Sequence, residues 1–150
     1  MAFEFRCTEK GGEITRKVRL LDRGNLQYLL AVVDKCQQVS NFLDPANPVG
    51  LFLAVENTFF EVDDVGLLAV IPYNTELSHV HITFWDGRLR GREKLCRTMA
   101  DWVSQISHRQ LFTAIPQDRS ILLAFCKRVG FMFQGIQDGS AFLTYPNYPE

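Results

Sequence analysis

The sequence is short of the features that mark several protein classes. It holds four cysteines, Cys7, Cys36, Cys96 and Cys126. They are widely scattered, with no C-x-x-C pair and no signal-peptide pattern ahead of them, which argues against a disulfide framework or a zinc knuckle. They read as free, mostly buried thiols of a reducing, cytosolic compartment. No apolar run approaches the ~20 residues that cross a bilayer. Charge of one sign is lacking too: sixteen basic and seventeen acidic side chains leave a formal net charge of −1. The electrostatic footprint of a phosphate-backbone binder is therefore missing, and nucleic acid is not an expected partner. Neither internal repeats nor low-complexity tracts occur.

What is present is a globular mixture, 47% apolar and 22% charged, in 150 residues. That length suits one domain, here taken as residues 1–150, burying about two-thirds of the surface of its unfolded chain. Phe3 to Cys7 alternates large and polar side chains and predicts a strand; after Gly11-Gly12, Ile14 to Leu20 either pairs back as a hairpin or leads into a helix. Leu26, Leu29, Leu30, Val33 and Cys36 then fall at helical spacing behind Asp22, the expected N-cap. Asp44 to Pro48 breaks that helix, and Val49 to Val55 is read as a short helix rather than a strand.

Phe59 to Asp64, Leu67 to Ile71 and His79 to Trp85 predict an antiparallel meander. In the third run Val80, Ile82 and Phe84 face one way, and His79, His81, Thr83 and Trp85 the other. Leu95, Met99, Trp102, Val103 and Ile106 make the apolar stripe of a helix and are expected in the core. A strand from Leu111 to Ile115 ends at Pro116. A helix carrying Ile121, Leu122, Phe125 and Val129 stops at Gly130. Phe131 to Ile136 and Ala141 to Tyr145 close the chain as a hairpin through Asp138-Gly139, followed by an extended tail from Pro146. Of the aromatic pairs, Phe59-Phe60 is expected to be buried and Tyr145 to Tyr148 exposed.

This order of elements, together with two motifs, resembles the GNAT (GCN5-related N-acetyltransferase) superfamily. The run from His81 to Cys96 is similar to that family's fourth strand, pyrophosphate loop and third helix. Arg88-Leu89-Arg90-Gly91-Arg92-Glu93 keeps the first five positions of the loop pattern (Gln or Arg, two residues, Gly, one residue, Gly or Ala) and departs at the sixth. Ala124 to Phe131 is similar to the family's fourth helix and its closing Gly-Phe. The resemblance implies an α/β fold, a mostly antiparallel mixed sheet flanked by about four helices, and acetyl-CoA as the cofactor. It also implies cofactor contacts at Phe84, Arg88, Leu89, Arg90, Gly91 and Arg92. Backbone amides at a helix N-terminus point outward, the helix dipole favours an anion, and glycine lets a pyrophosphate approach closely. The same residues also suit an arginine-bearing loop with a capped helix and no ligand.

By the same resemblance the catalytic positions are His81, a base of suitable unperturbed pKa, and Cys126, which stands where many members carry the tyrosine that reprotonates the CoA thiolate. Alternatives to His81 are His79 and Glu61. Cys126 reads more readily as a small buried hydrophobe against Leu122 and Phe125, and Arg119 occupies the place of a common asparagine. His79 and His81 alone make a poor metal site, so no metal is expected. The phrase from Phe84 to Glu93 resembles most the short versions encoded by tailed bacteriophages, and the whole chain is similar to head-assembly proteins of P22-like phages. That likeness implies an assembly factor in the host cytoplasm, associated with the virion, contacting phage or host proteins, with or without retained acyl-CoA binding. The alternative is an active acetyl-CoA-dependent N-acetyltransferase on an unidentified amine or protein.

Overall fold

The computed structural model describes residues 2–9 and 11–146; the predicted tail beyond Pro146, including Tyr148, lies outside them. The elements run β1 (Ala2–Glu9), β2 (Gly12–Leu20), α1 (Leu26–Val39), α2 (Gly50–Leu53), β3 (Thr58–Val62), β4 (Gly66–Pro72), β5 (Leu77–Phe84), α3 (Glu93–Ser107), β6 (Gln110–Pro116), α4 (Ser120–Val129), β7 (Met132–Gln137) and β8 (Ser140–Thr144). All strands join one sheet in the order β1-β2-β3-β4-β5-β6-β8-β7. Every neighbouring pair is antiparallel except β5 and β6. The expected α/β architecture, a mostly antiparallel mixed sheet with four helices, is the observed one.

The open question at Ile14 to Leu20 resolves as a strand paired with β1. The run after Pro48 does form a short helix. Each face of the sheet carries its own core. Val18, Phe60, Val62, Leu68, Val70, Val80 and Phe84 pack with Leu95, Met99 and Val103 of α3 and Phe125 and Val129 of α4. Phe59, Leu67 and Ala69 face the other way, onto Leu29, Val33 and Cys36 of α1 and Phe52 of α2. A strand covered on both faces gains from apolar side chains at successive positions, which is why Leu67 to Val70 is a continuous apolar run.

Several local expectations are corrected. The α1 N-cap is Asn25, whose side chain accepts from the Tyr28 amide, while Asp22 accepts the Gly24 amide in the preceding turn. Asp22 lies too far upstream to reach the helix's orphan amides. Leu26 and Leu30 are exposed, because α1 buries the stripe through Leu29, Val32, Val33 and Cys36. Ile106, 48% exposed, and Ile121 likewise sit at the rims of their helical stripes and outside the cores. Phe59 and Phe60 are buried as expected, whereas Tyr145 is only 2% exposed, since its hydroxyl donates to Asp101 Oδ1 at 2.7 Å and its ring packs on Phe131.

Helices α3 and α4 are also tied by hydrogen bonds. Arg97 donates from Nε to the Val129 carbonyl (2.9 Å) and from Nη2 to the Arg128 carbonyl (2.7 Å), satisfying two orphan acceptors at the end of α4. Leu95→Ala, at a fully buried site, is expected to cost about 2–5 kcal/mol. Ile106→Ala should change stability by less than about 0.5 kcal/mol. Urea unfolding midpoints at unchanged slope check both.

Candidate functional site

The parallel pair β5 and β6 is joined over three residue pairs only, Leu77 with Gln110, Ser78 with Leu111 and His79 with Phe112. Beyond His79 the β6-facing edge of β5 has no strand partner among the described residues. Two cavities open there. On the α3 and α4 face lies an apolar slot of about 100 Å³, lined among others by Val80, Ile82, Met99, Thr113, Phe125 and Cys126. On the α1 face lies a wider cleft of about 760 Å³, lined among others by Gln37, Asn41, Phe42, His79, Asp118 and Arg119. His81, Ile82, Leu89, Ile115 and Leu122 border both, so the two spaces lie back to back across the gap between the strands.

At one end of this gap is the loop after Trp85. Gly91 has φ of +82°, a left-handed conformation in which glycine carries no Cβ penalty. The amides of Leu89, Arg90, Gly91, Glu93, Lys94 and Leu95 have no hydrogen-bond acceptor among the described residues. They surround the N-terminus of the 15-residue α3, where the helix dipole adds to their attraction for an anion. The turn is therefore open, although not every amide is free: Gly87 donates to the Phe84 carbonyl, Arg92 to the Leu89 carbonyl and Arg88 to Asp86 Oδ1.

The three arginines do not behave alike. Arg88 and Arg90 are exposed. Arg92, only 8% exposed, is committed inside the protein, where the sequence led us to expect it on a pyrophosphate. Its Nη1 and Nη2 donate to the two Asp86 oxygens at 2.7 and 3.0 Å, and Nη1 also donates to the Arg88 carbonyl at 2.6 Å. The guanidinium lies 4.4 Å over the Phe84 ring, which is itself buried. This bidentate pair pulls the Asp86 carboxyl down to about 2, with help from the Arg88 amide. Glu93, the sixth position of the loop pattern, lies 3.9 Å from Arg128 of α4.

His81 projects from β5 at the junction of the two cavities and stacks on Phe42, with centroids 4.1 Å apart and planes 4° from parallel. Burial, reinforced by His79, lowers its pKa from 6.5 to about 4. Its neighbour His79 stacks on Phe112 at 5.1 Å and is lowered by burial as well. Both imidazoles are thus neutral at physiological pH. Glu61, the other candidate base, borders neither cavity and accepts from the Tyr28 hydroxyl. Cys126 lines the slot, and burial raises its thiol to about 11.

No family model and no curated protein matches the sequence. Solved structures do match the fold. The GNAT domain of S. lividans PAT superposes with a TM-score of 0.67 at 12% identity, covering 95% of this chain and 96% of that one. Campylobacter jejuni N-acetyltransferase PseH in complex with acetyl coenzyme A gives 0.64 at 10% identity over 86% and 96%. Spermidine N-acetyltransferase from Vibrio cholerae, in complex with CoA and spermine, gives 0.56 at 12% over 86% and 92%. The chain has the GNAT N-acetyltransferase fold. At these identities the likeness establishes the architecture alone, and what a site does rests on its own residues.

Sequence reasoning named the loop after Trp85 and both histidines, which the structure places beside the cavities. It missed Phe42, Asp118 and the cleft they border, because these come from distant segments, Phe42 standing 35 residues before the start of β5 and Asp118 34 residues after its end. Two outcomes follow. Arg92→Ala should destabilise the protein by about 1–3 kcal/mol, the loss of hydrogen bonds to a charged partner, read as a lowered thermal midpoint. The His81 imidazole should titrate by NMR with a midpoint near 4. Above pH 6.5 it is neutral folded or unfolded; below that, only the unfolded chain takes up the proton, so its contribution to stability falls until about pH 4.

Proposed function

We propose that residues 1–150 act as a single GNAT-like domain that transfers an acetyl group from acetyl-CoA to an amine. The observation that carries the reading is the back-to-back placement of an apolar slot and a polar cleft across the unpaired edge of β5, beside a helix N-terminus with free amides. An acyl donor and an acceptor must approach one another from opposite sides, and a gap through the sheet allows that.

The free amides of residues 89–91 and 93–95, with Arg88 and Arg90, suit a pyrophosphate. Arg92 acts indirectly by holding Asp86 neutralised and the loop in shape. The slot, almost entirely apolar, suits an uncharged chain. Acetyl-CoA would supply the activated thioester. Backbone amides on the open edge of β5 are placed to polarise an acyl carbonyl. Cys126 keeps its proton through the neutral range and borders the slot, which fits a hydrogen-bond donor to a sulfur leaving group. His81, neutral and at the junction, fits a hydrogen-bond acceptor for the amine better than a base, since a pKa near 4 is poorly matched to neutral pH.

A virion-assembly role rests on the likeness of the phrase from Phe84 to Glu93 to phage-encoded chains. The adjoining cavities and the acetyltransferase neighbours favour acyl transfer over it.

Acetyl-CoA at about a hundred times its dissociation constant should stabilise the fold by ~2.7 kcal/mol, seen as a rise in thermal midpoint. Exchanging both exposed arginines, Arg88→Ala with Arg90→Ala, should weaken binding by at least about tenfold while the unliganded midpoint hardly moves. A flat response of the native chain to acetyl-CoA would overturn the proposal.

A further inference from the structure

The cleft on the α1 face carries information about the acceptor. Its wall is formed by two imidazoles two residues apart on β5, each laid flat on a phenyl ring. Neither imidazole has a hydrogen-bond partner among the described residues, so each keeps a ring nitrogen free to accept an N–H. The side chains of Gln37, Gln38, Ser40, Asn41 and Thr83 add uncharged polar groups. The charged lining residues are Asp118 and Arg119, neighbours of opposite sign in the turn before α4, so their formal charges sum to zero within the cleft.

These features bear on protonation. The nitrogen that attacks a thioester needs a lone pair. An alkylammonium must first lose a proton, and a site built for one needs a carboxylate to hold the cation or a base of pKa near neutral to take its proton. Here the groups that face the amine position are His79 and His81 from β5, with Asp118 and Arg119 from the turn before α4. Both imidazoles are held neutral by burial, so a partly desolvated cation against that wall would find no opposite charge there, and the carboxylate that lines the cleft, Asp118, is followed at once by the Arg119 guanidinium.

Resting on the acyl-transfer reading above, we propose that this cleft takes as acceptor a weakly basic primary amine borne on a flat, uncharged ring, an arylamine. Such an amine is already a free base at neutral pH. It lies against the stacked imidazole wall and donates one N–H to His81. In the transfer the N–C bond forms and the C–S bond breaks; the nitrogen gives up one proton and the sulfur gains one, so no external oxidant, reductant or net proton is required.

The isomers p-toluidine and benzylamine have the same atoms and nearly the same size, but only the second is an ammonium at pH 7. With acetyl-CoA and the full chain, CoA release at pH 7 should be at least tenfold faster with p-toluidine. Its rate should stay level to pH 9, whereas that with benzylamine should rise about tenfold per pH unit as free base appears. Without any acyl donor, p-toluidine should shift the NMR signals of His79 and His81 and leave that of His108 unmoved, and Phe42→Ala should weaken this binding at least fivefold. Benzylamine or spermidine reacting at pH 7 as fast as p-toluidine would overturn the assignment. So would stabilisation by acetyl-CoA with no histidine shift from p-toluidine, which would leave the acyl-transfer reading standing. Histidine shifts in a chain that acetyl-CoA does not stabilise would instead overturn acyl transfer, and the acceptor role with it.

Discussion

The parting of β5 from β6 after three paired residues is the constraint on which the rest of the molecule depends. A parallel ladder that continued would fill the gap with side chains and hydrogen bonds. One that stops leaves backbone groups of a central strand without ladder partners, a cost a folded protein does not carry unless the surroundings hold the strands in place. Here they do. The far side of β6 is paired with β8, the far side of β5 with β4, and α3 and α4 bridge the opening on one face. Arg97 on the last carbonyls of α4, and Tyr145 on Asp101, fix the bridging helices to one another and to the C-terminal hairpin. Closing the gap would break these bonds or compress a packed core, and packed cores resist both.

The same constraint separates what could be read in the sequence from what could not. Periodicity reported the strands and helices faithfully, because the alternation of Val80, Ile82 and Phe84 with His79, His81 and Thr83 is a local property of β5. The stripe of α3 was legible for the same reason. Stripe edges were not. Ile106, Leu26, Leu30 and Ile121 fit the period, yet the width of a buried stripe is set by the curvature of the sheet it meets, which no single helix encodes. Asp22 and Asn25 are both good capping residues, and only the angle at which the chain enters α1 chooses between them. Tyr145 looked like part of an exposed aromatic tail until its partner, 44 residues away, was known.

The loop after Trp85 shows the limit in a sharper form. Its glycine and arginines are visible as a string, but their roles divide according to where each guanidinium finds its best partner. Arg92 can reach Asp86 with two parallel hydrogen bonds while lying on Phe84, and a bidentate contact inside the protein outweighs one with solvent or ligand. The consequence is a loop that carries its own counter-charge. Asp86 is neutralised by Arg92, so it repels an incoming anion less than its formal charge suggests.

An open strand edge, a helix N-terminus with free amides and two neutral imidazoles without hydrogen-bond partners among the described residues lie along the same gap. Each of these lowers stability by itself: unpaired amides forgo hydrogen bonds, and burying an imidazole in a place that depresses its pKa makes the fold acid-sensitive. Three such costs spread over the surface would be unremarkable. Their convergence within one gap, between an apolar slot and a polar cleft, is the observation on which the proposed acyl transfer rests. Strain and unsatisfied groups persist where the surrounding structure holds them in place, and here the surrounding structure is the splayed pair itself.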